Sequence, residues 1–377
     1  MVNRYRCRVV VVLVLLVLAP LFSAVPIGAS ESEVRHVVFV PLVRGCLPVS
    51  PPSPTPTPTM LPTPTSTGTP VAPTATPSPS PTVEPSPTAE PSPTVDPSPT
   101  SEPSSGTEWE EVSSWVYQLT GYEQGRLDEI ASTEFDLAVV DLSRYGSDDY
   151  FTAAEISAVQ ATGKVVLAYF EIGAIEDYRP EWPDVPADLK LGPVSGWPGE
   201  QYVKYWDERW WPVVAGRVDQ AIAAGFDGAY LDMIVTYEEI SAGAAGTNRD
   251  DLARKMVALI VRLSDYAKQQ DPDFKVVPQN SPELHVYDGY LDAIDGLGME
   301  ELYILATDRV CNAGWCYENR DNAAAIAAAG KLVLTVDYAN EQENIDAAYA
   351  QSLAAGFVPY VSVRALDVVR LNGAWSP

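Results

Sequence analysis

From residue 107 onward, short apolar runs alternate with longer segments in which apolar residues recur every three or four positions. Eight of the runs are almost continuously apolar and rich in β-branched and aromatic residues, as is typical of parallel strands covered on both faces. They lie at residues 115–119, 137–141, 164–171, 228–232, 275–280, 293–300, 331–337 and 357–363. The helical period predicts helices between them, at residues 152–162, 202–224, 250–270, 322–329 and 341–355.

Glycines mark the ends of several of these helices. Gly163, Gly225, Gly330 and Gly356 each stand just before a predicted strand, where a helix C-cap is expected. Eight strand–helix units favour an α/β fold closed as a (β/α)₈ TIM barrel over residues 107–377. An open, doubly wound dinucleotide-binding sheet is disfavoured, because no glycine-rich loop follows the first strand.

The first 106 residues have a different character. Arg4, Arg6 and Arg8 precede a short apolar run, which predicts a signal peptide over residues 1–29, with an uncleaved anchor as the alternative. Residues 30–47 have no assigned role. Residues 48–106 are rich in Pro, Thr and Ser and predict a disordered linker. The expected location is therefore extracellular, either secreted or at the cell surface.

Charge and histidine content exclude several classes of function. The chain of 377 residues has 24 Lys and Arg against 51 Asp and Glu, and its net charge is −27. Only five of those bases and six of those acids precede residue 107. Nucleic acid is excluded as a partner because no basic surface is available for it. With only two histidines, a multi-histidine zinc site is also excluded, and we expect no cofactor and no metal.

Carboxylates therefore remain as the candidate chemistry, and they concentrate at the predicted strand ends. In an eight-stranded α/β barrel, the C-terminal strand ends form the active site. The polar residues there are Gln118, Asp141, Glu171, Asp232, Gln279, Asn280, Glu300, Glu301, Asp337 and Arg364. Helix capping explains one or two of these, for example Asp141, but not the set. Two carboxylates across a sugar-sized pocket are what glycoside hydrolysis requires.

Tryptophan supports a carbohydrate ligand, because indole faces stack on sugar rings. All nine tryptophans lie from Trp109 onward. Trp182 and Trp197 fall in the third strand–helix loop and are the better ligand candidates, whereas the spacing of Trp206, Trp210 and Trp211 favours helix packing.

The cysteines fit an exported protein. Cys311 and Cys316 are close in sequence and predict a local disulfide. Two thiolates without a third ligand nearby are too few for a metal site. Cys46 has no assigned partner.

Several of these segments resemble the endo-α-1,4-polygalactosaminidase family, glycoside hydrolase family 114. They are residues 169–180 (YFEIGAIEDYRP), 191–192 (LG), 197–200 (WPGE), 225–232 (GFDGAYLD), 278–280 (PQN) and 295–300 (DGLGME). The resemblance covers residues 115–363 in order. It implies a TIM barrel that cleaves α-linked galactosamine polymers, with Asp232 as nucleophile and Glu300 as general acid/base. Glu301, next to Glu300, should point the opposite way along the strand.

The expected substrate-binding residues complete this hypothesis. They are Gln118, Asp141, Tyr169, Glu171, Arg179, Trp197, Gln279, Asn280 and Asp337. The sequence departs from the family where Met233-Ile234-Val235 replaces the usual Asn-x-Asp, and where Glu171 replaces a serine. Glu171 would add negative charge suited to an ammonium-bearing sugar.

The sequence predicts a secreted, monomeric glycosidase. It would act in an endo manner on a carbohydrate polymer, an amino-sugar polysaccharide. Two alternatives stay open: a non-catalytic polysaccharide-binding barrel, and a glycosidase of a different α-glycan.

Overall fold

All eight predicted strands are present in the computed structural model, which describes residues 107–306 and 308–377. The predicted signal peptide, the segment 30–47 and the linker lie outside the described residues. The strands are β1 (Trp115–Gln118), β2 (Leu137–Asp141), β3 (Val165–Glu171), β4 (Gly228–Asp232), β5 (Lys275–Pro278), β6 (Gly296–Glu300), β7 (Leu332–Tyr338) and β8 (Val358–Ser362).

The strands are parallel and neighbour one another in chain order. Continuous pairing joins β1 to β5 and, separately, β6 to β8. A parallel bridge between Gln279 and Gly298 links the two groups. At the other seam, Trp115 Nε1 on β1 donates a hydrogen bond of 3.0 Å to the Val358 carbonyl on β8. The predicted α/β fold is confirmed, and this order is consistent with a (β/α)₈ barrel, since a doubly wound sheet would reverse its strand order.

Helices of very different lengths follow the strands. They are α1 (Asp128–Ala131), α2 (Ala153–Gln160), α3 (Trp211–Ala223), α4 (Thr236–Glu239), α5 (Arg249–Gln270), α6 (Tyr290–Ala293), α7 (Gly314–Ala328) and α8 (Gln342–Ala354). The glycines expected after α2, α3, α7 and α8 all have positive φ, between 77° and 94°, as a C-cap requires. No helix in the described part of the chain is both long and apolar enough to cross a membrane.

One predicted helix, over residues 202–224, is wrong in its first third. Residues Glu200–Val203 form a strand that pairs antiparallel with Ala174–Glu176 and with Lys190–Pro193. We call these three strands the loop sheet; it lies between β3 and α3. Helix α3 begins only at Trp211, because Pro212 lacks an N–H and its ring would clash with the preceding turn of a longer helix. The loop sheet thereby brings Glu176 opposite Glu200.

Aromatic side chains fill the middle of the described fold. Trp115 and Tyr117 on β1 lie 6.0 and 5.2 Å, between ring centroids, from Tyr230 on β4. Tyr360 on β8 packs 6.0 Å from Trp115, and Tyr169 on β3 lies 6.2 Å from Tyr117. All five are buried. Because side chains alternate along a strand, Tyr230 and Asp232 project to the same side, and so do Gly298 and Glu300. The aromatic cluster therefore forms a floor beneath both carboxylates.

This floor requires a glycine on β6. A Cβ at position 298 would lie 1.9 Å from the Tyr230 hydroxyl oxygen, and Tyr230 cannot retreat through Trp115 and Tyr117. We expect Gly298→Ala to lower the free energy of unfolding by about 3 kcal/mol, the upper end of the usual overpacking penalty. Urea denaturation followed by tryptophan fluorescence measures it.

Gly216, on the exposed face of α3, is the matched control because a Cβ there would meet no atom within 4 Å. Gly216→Ala should stabilise the protein by about 0.5–1 kcal/mol through its helix propensity. Equal unfolding curves for the two variants would contradict the close packing at Gly298.

Candidate active site

Asp232 stands at the end of β4 with both carboxylate oxygens hydrogen-bonded. The Tyr169 hydroxyl donates to Oδ2 at 2.6 Å, and the backbone N–H of Met233 donates to Oδ1 at 2.6 Å. Met233 has a φ of 60°, in the left-handed region, so the chain turns sharply after Asp232. These contacts fix the carboxylate above the aromatic floor.

Glu300 ends β6 in a similar setting. The Tyr338 hydroxyl donates to Oε1, and Asn280 Nδ2 donates to Oε2 at 3.2 Å. Asn280 also accepts from the Glu300 backbone N–H at 3.0 Å, so its amide holds both the main chain and the side chain of Glu300. Glu301 turns the other way, as expected, and its Oε1 accepts from the backbone N–H of Ala306 at 2.9 Å.

Burial and neighbouring charges tune the acidity of these two groups. Burial, followed by the charge of Asp232, raises the pKa of Glu300 to about 7, although the Tyr338 and Asn280 hydrogen bonds oppose that rise. Burial also raises the pKa of Asp232, against the hydrogen bonds from Tyr169 and Met233. Glu300 can therefore give up or accept a proton near neutral pH, which is what a general acid/base needs.

Beside Asp232, Arg179 organises a buried ionic network. It makes two hydrogen bonds to Asp141, of 2.9 and 3.0 Å, and pairs with Glu171 at 3.1 Å and with Glu176 at 2.8 Å. Arg217 pairs with Glu171 from the other side, at 3.2 Å. The charge of Glu171 is thus compensated inside the protein, so this residue does not add the free negative charge anticipated from the sequence.

Three further predicted site residues also have partners within the protein. Gln118 Nε2 donates to the Thr120 carbonyl, and Gln279 Oε1 accepts from the Tyr117 hydroxyl. Asp337 accepts from the backbone N–H groups of residues 303 and 304, at 2.8 and 2.7 Å. These side chains hold strand ends and loops around the two carboxylates.

Two tryptophans were candidates for stacking on a ligand. Trp197 leaves 51% of its surface exposed, and the Arg364 guanidinium carbon lies 5.7 Å from its ring centroid. Trp182 is half-buried, with Lys190 Nζ 3.5 Å from its ring centroid. Trp197 is therefore the more accessible stacking surface. Trp210, for which the sequence favours helix packing, is fully buried.

Sequence reasoning missed Tyr338 and Glu200. Tyr338 is the last residue of β7, one position beyond the predicted strand, and an aromatic residue there resembles ordinary core. Glu200 was part of the family resemblance but was placed next to a helix rather than in the loop sheet. The charges of Glu176 and Asp232 act on its carboxylate.

The described residues include one disulfide and no group of side chains suited to a metal ion. Cys311, in the segment before α7, forms a disulfide with Cys316 in the first turn of α7. Among the described residues, no group of three or more His, Cys, Asp or Glu side chains is arranged to hold a metal ion.

Comparison with known proteins identifies a family and a relative of this chain. The model for "Glycoside-hydrolase family GH114" matches residues 96–375. An uncharacterized protein of Deinococcus radiodurans is 37% identical over 269 residues, which are 69% of this chain and 83% of the relative.

Two solved structures share the fold. The glycoside hydrolase domain of PelA from Pseudomonas aeruginosa is 17% identical, with a TM-score of 0.55 over 68% of this chain and 96% of that domain. Ega3 of Aspergillus fumigatus, solved in complex with galactosamine, is 16% identical, with a TM-score of 0.55 over 69% of this chain and 94% of that one.

The Arg179 network yields a stability prediction. Replacing Arg179 by leucine would leave Asp141, Glu171 and Glu176 buried with one cation fewer. We expect a loss of about 3–5 kcal/mol in the free energy of unfolding, typical of breaking a buried ion pair. Urea denaturation at neutral pH measures the loss.

Arg209 is the control, because it also joins two carboxylates, Asp188 and Asp207, but at the surface. Arg209→Leu should leave the unfolding midpoint nearly unchanged, since exposed ion pairs contribute little. A similar loss in both variants would show that burial does not govern the network.

Proposed function

The chain belongs to glycoside-hydrolase family GH114, and on that premise we propose that it is a secreted, endo-acting enzyme that cleaves α-1,4-linked galactosamine-containing polysaccharide. The observation that carries the proposal is the pair of buried carboxylates at the ends of β4 and β6. Each is held by a phenol, and Glu300 has a pKa of about 7. Such a pair is the machinery of glycoside hydrolysis.

The proposed reaction follows from the protonation of the two groups. Protonated Glu300 gives its proton to the glycosidic oxygen while ionised Asp232 attacks the anomeric carbon, so the C–O bond of the leaving sugar breaks as the bond to Asp232 forms. Glu300, now ionised, takes a proton from water as that water displaces Asp232. Glu300 ends protonated and Asp232 ionised, ready for the next cycle.

An amino-sugar polymer is favoured by the electrostatics of the domain and by one relative. The chain carries a net charge of −27, nearly all of it after residue 107, which attracts a cationic polymer. Exposed Trp197 offers a stacking surface for a sugar ring. Ega3, which shares the fold, was solved with galactosamine. Secretion is supported by the signal-like N-terminal sequence, with Arg4, Arg6 and Arg8 before an apolar run.

One observation favours a second candidate, a barrel that binds polysaccharide without cleaving it. Met233-Ile234-Val235 occupies the place of the family's Asn-x-Asp, so polar groups usual beside the nucleophile are missing.

Hydrolysis of a defined polymer separates the two candidates. The full chain is incubated with a de-N-acetylated α-1,4-galactosamine polymer, and products are sized by mass spectrometry. We expect a ladder of oligosaccharides from the wild type. Release should fall at least about 10²-fold for Asp232→Asn and for Glu300→Gln, because each loses the group that attacks or transfers a proton.

Binding without release by the wild type would support the non-catalytic barrel. Release of monosaccharide alone would contradict endo action. The anomeric configuration of fresh product, read by nuclear magnetic resonance, would be retained under the proposed roles. Inversion would make Asp232 the base that activates water instead.

The contact between Tyr338 and Glu300 predicts a shift in pH dependence. The first step needs protonated Glu300, so activity should fall as pH rises through about 7. The Tyr338 hydroxyl stabilises ionised Glu300 and so lowers its pKa. In Tyr338→Phe the pKa of Glu300 should therefore rise, and the alkaline limb of kcat against pH should move to higher pH.

Tyr205 supplies the matched control, since its hydroxyl is also buried but donates to the Leu252 carbonyl on α5. Tyr205→Phe should keep the wild-type pH profile. An alkaline limb that stays in place in Tyr338→Phe would remove the role given to this phenol.

A further inference from the structure

We propose that Glu200 is the specificity-determining residue of the site, the carboxylate that binds the ammonium group of the amino sugar bound next to Asp232. The inference rests on the proposed function and assigns one residue to the choice of substrate. It starts from Glu200 being nine-tenths buried, with 9% exposure, although no described residue donates a hydrogen bond to its carboxylate or pairs with it.

The neighbouring carboxylates, in contrast, all have a hydrogen-bond donor or an ion-pair partner. Asp141, Glu171 and Glu176 are paired with Arg179, and Asp232 accepts from Tyr169. Glu239, across the loop sheet, accepts from the Tyr202 hydroxyl. Glu200 is thus the member of this acidic group that has no donor within the described protein.

The surroundings of Glu200 disfavour a bare negative charge. The charged groups acting on it are Glu176, Asp232 and Glu239, which repel it, and Arg179, which attracts it. Burial, followed by the charges of the three acids, raises the pKa of Glu200 to about 9. A buried carboxylate is either paired with a cation or neutralised by a proton, and Arg179 already serves three other acids. A ligand that brings its own cation can therefore take the place of that proton.

The position of Glu200 relates it to the reacting carbon. Its backbone N–H donates to the Trp197 carbonyl at 3.2 Å, so it belongs to the same turn as the exposed indole. The charge of Asp232, which attacks C1 of the sugar in the proposed reaction, also acts on the Glu200 carboxylate. In galactosamine the amine is carried by C2, one bond from C1. A carboxylate in the same turn as Trp197 and within the electrostatic reach of Asp232 suits that substituent.

The proposed contact predicts that a proton is released when the ligand binds. Near pH 7, Glu200 holds a proton in the empty site and the sugar amine is an ammonium ion. When the ammonium group binds, Glu200 ionises and releases one proton to solvent. An N-acetylated sugar is neutral and leaves the proton in place.

Steady-state kinetics test the assignment with Glu200→Gln, which mimics the protonated acid and keeps its volume. For the de-N-acetylated polymer, we expect KM to rise about 10–100-fold, the size of a hydrogen bond to a charged group, with a smaller change in kcat. For the N-acetylated polymer, KM should be unchanged. Glu208→Gln removes an exposed carboxylate outside the site. It should leave KM and kcat unchanged for both polymers.

A general loss on both polymers, or no loss on either, would overturn the assignment. Glu200→Asp guards against a folding defect, because it keeps the charge and withdraws it by one methylene. It should retain the preference for the de-N-acetylated polymer with a smaller rise in KM. Equal loss of preference in the aspartate and glutamine variants would also count against a charge contact.

Calorimetry keeps this inference separate from the hydrolytic function. De-N-acetylated oligosaccharide is titrated into the full chain at pH 7 in two buffers of different ionisation enthalpy. We expect about one proton released per bound ligand in the wild type and none in Glu200→Gln. If the wild type binds but cleaves neither polymer, the hydrolytic proposal fails while proton release still supports Glu200. Absence of binding, or equal proton release in both proteins, overturns the role of Glu200.

Discussion

Taking carboxylates out of water is the physical constraint on which the candidate site depends, because a buried charge must be paired or neutralised. The protein meets it in three ways around Asp232. Arginines pair with Asp141, Glu171 and Glu176, phenols donate to Asp232 and Glu300, and Glu200 is left without a partner. The first arrangement fixes a loop, the second prepares a reaction, and the third leaves a place for a ligand's charge.

The aromatic floor connects this chemistry to the fold. Tyr169 donates to Asp232 and packs against Tyr117, so the ring that positions the carboxylate is itself held by the packed interior. Gly298 permits this layer by leaving room for Tyr230 two residues before Glu300. A change in the packing of the floor would therefore reach the carboxylates through their hydrogen-bond donors.

The strands and their polar ends were predictable from the sequence because they are local patterns, and all eight strands appear at the expected places. The loop sheet was not, since its pairing of Glu176 with Glu200 joins residues 24 positions apart and competes with a helical pattern. The partners of the site residues were equally hidden. Nothing local in the sequence shows that Arg179 neutralises Glu171, or that Tyr338 meets Glu300.

One charge distribution links the acidity of Glu300 to the choice of substrate. The negative charge of Asp232 helps to keep Glu300 protonated near neutral pH, and Glu176 and Asp232 act on Glu200 in the same way. A cationic sugar reduces the repulsion among these carboxylates when it binds, whereas a neutral sugar leaves the repulsion in place. Strong net acidity beside a protonated acid thus favours a polymer that brings its own positive charge.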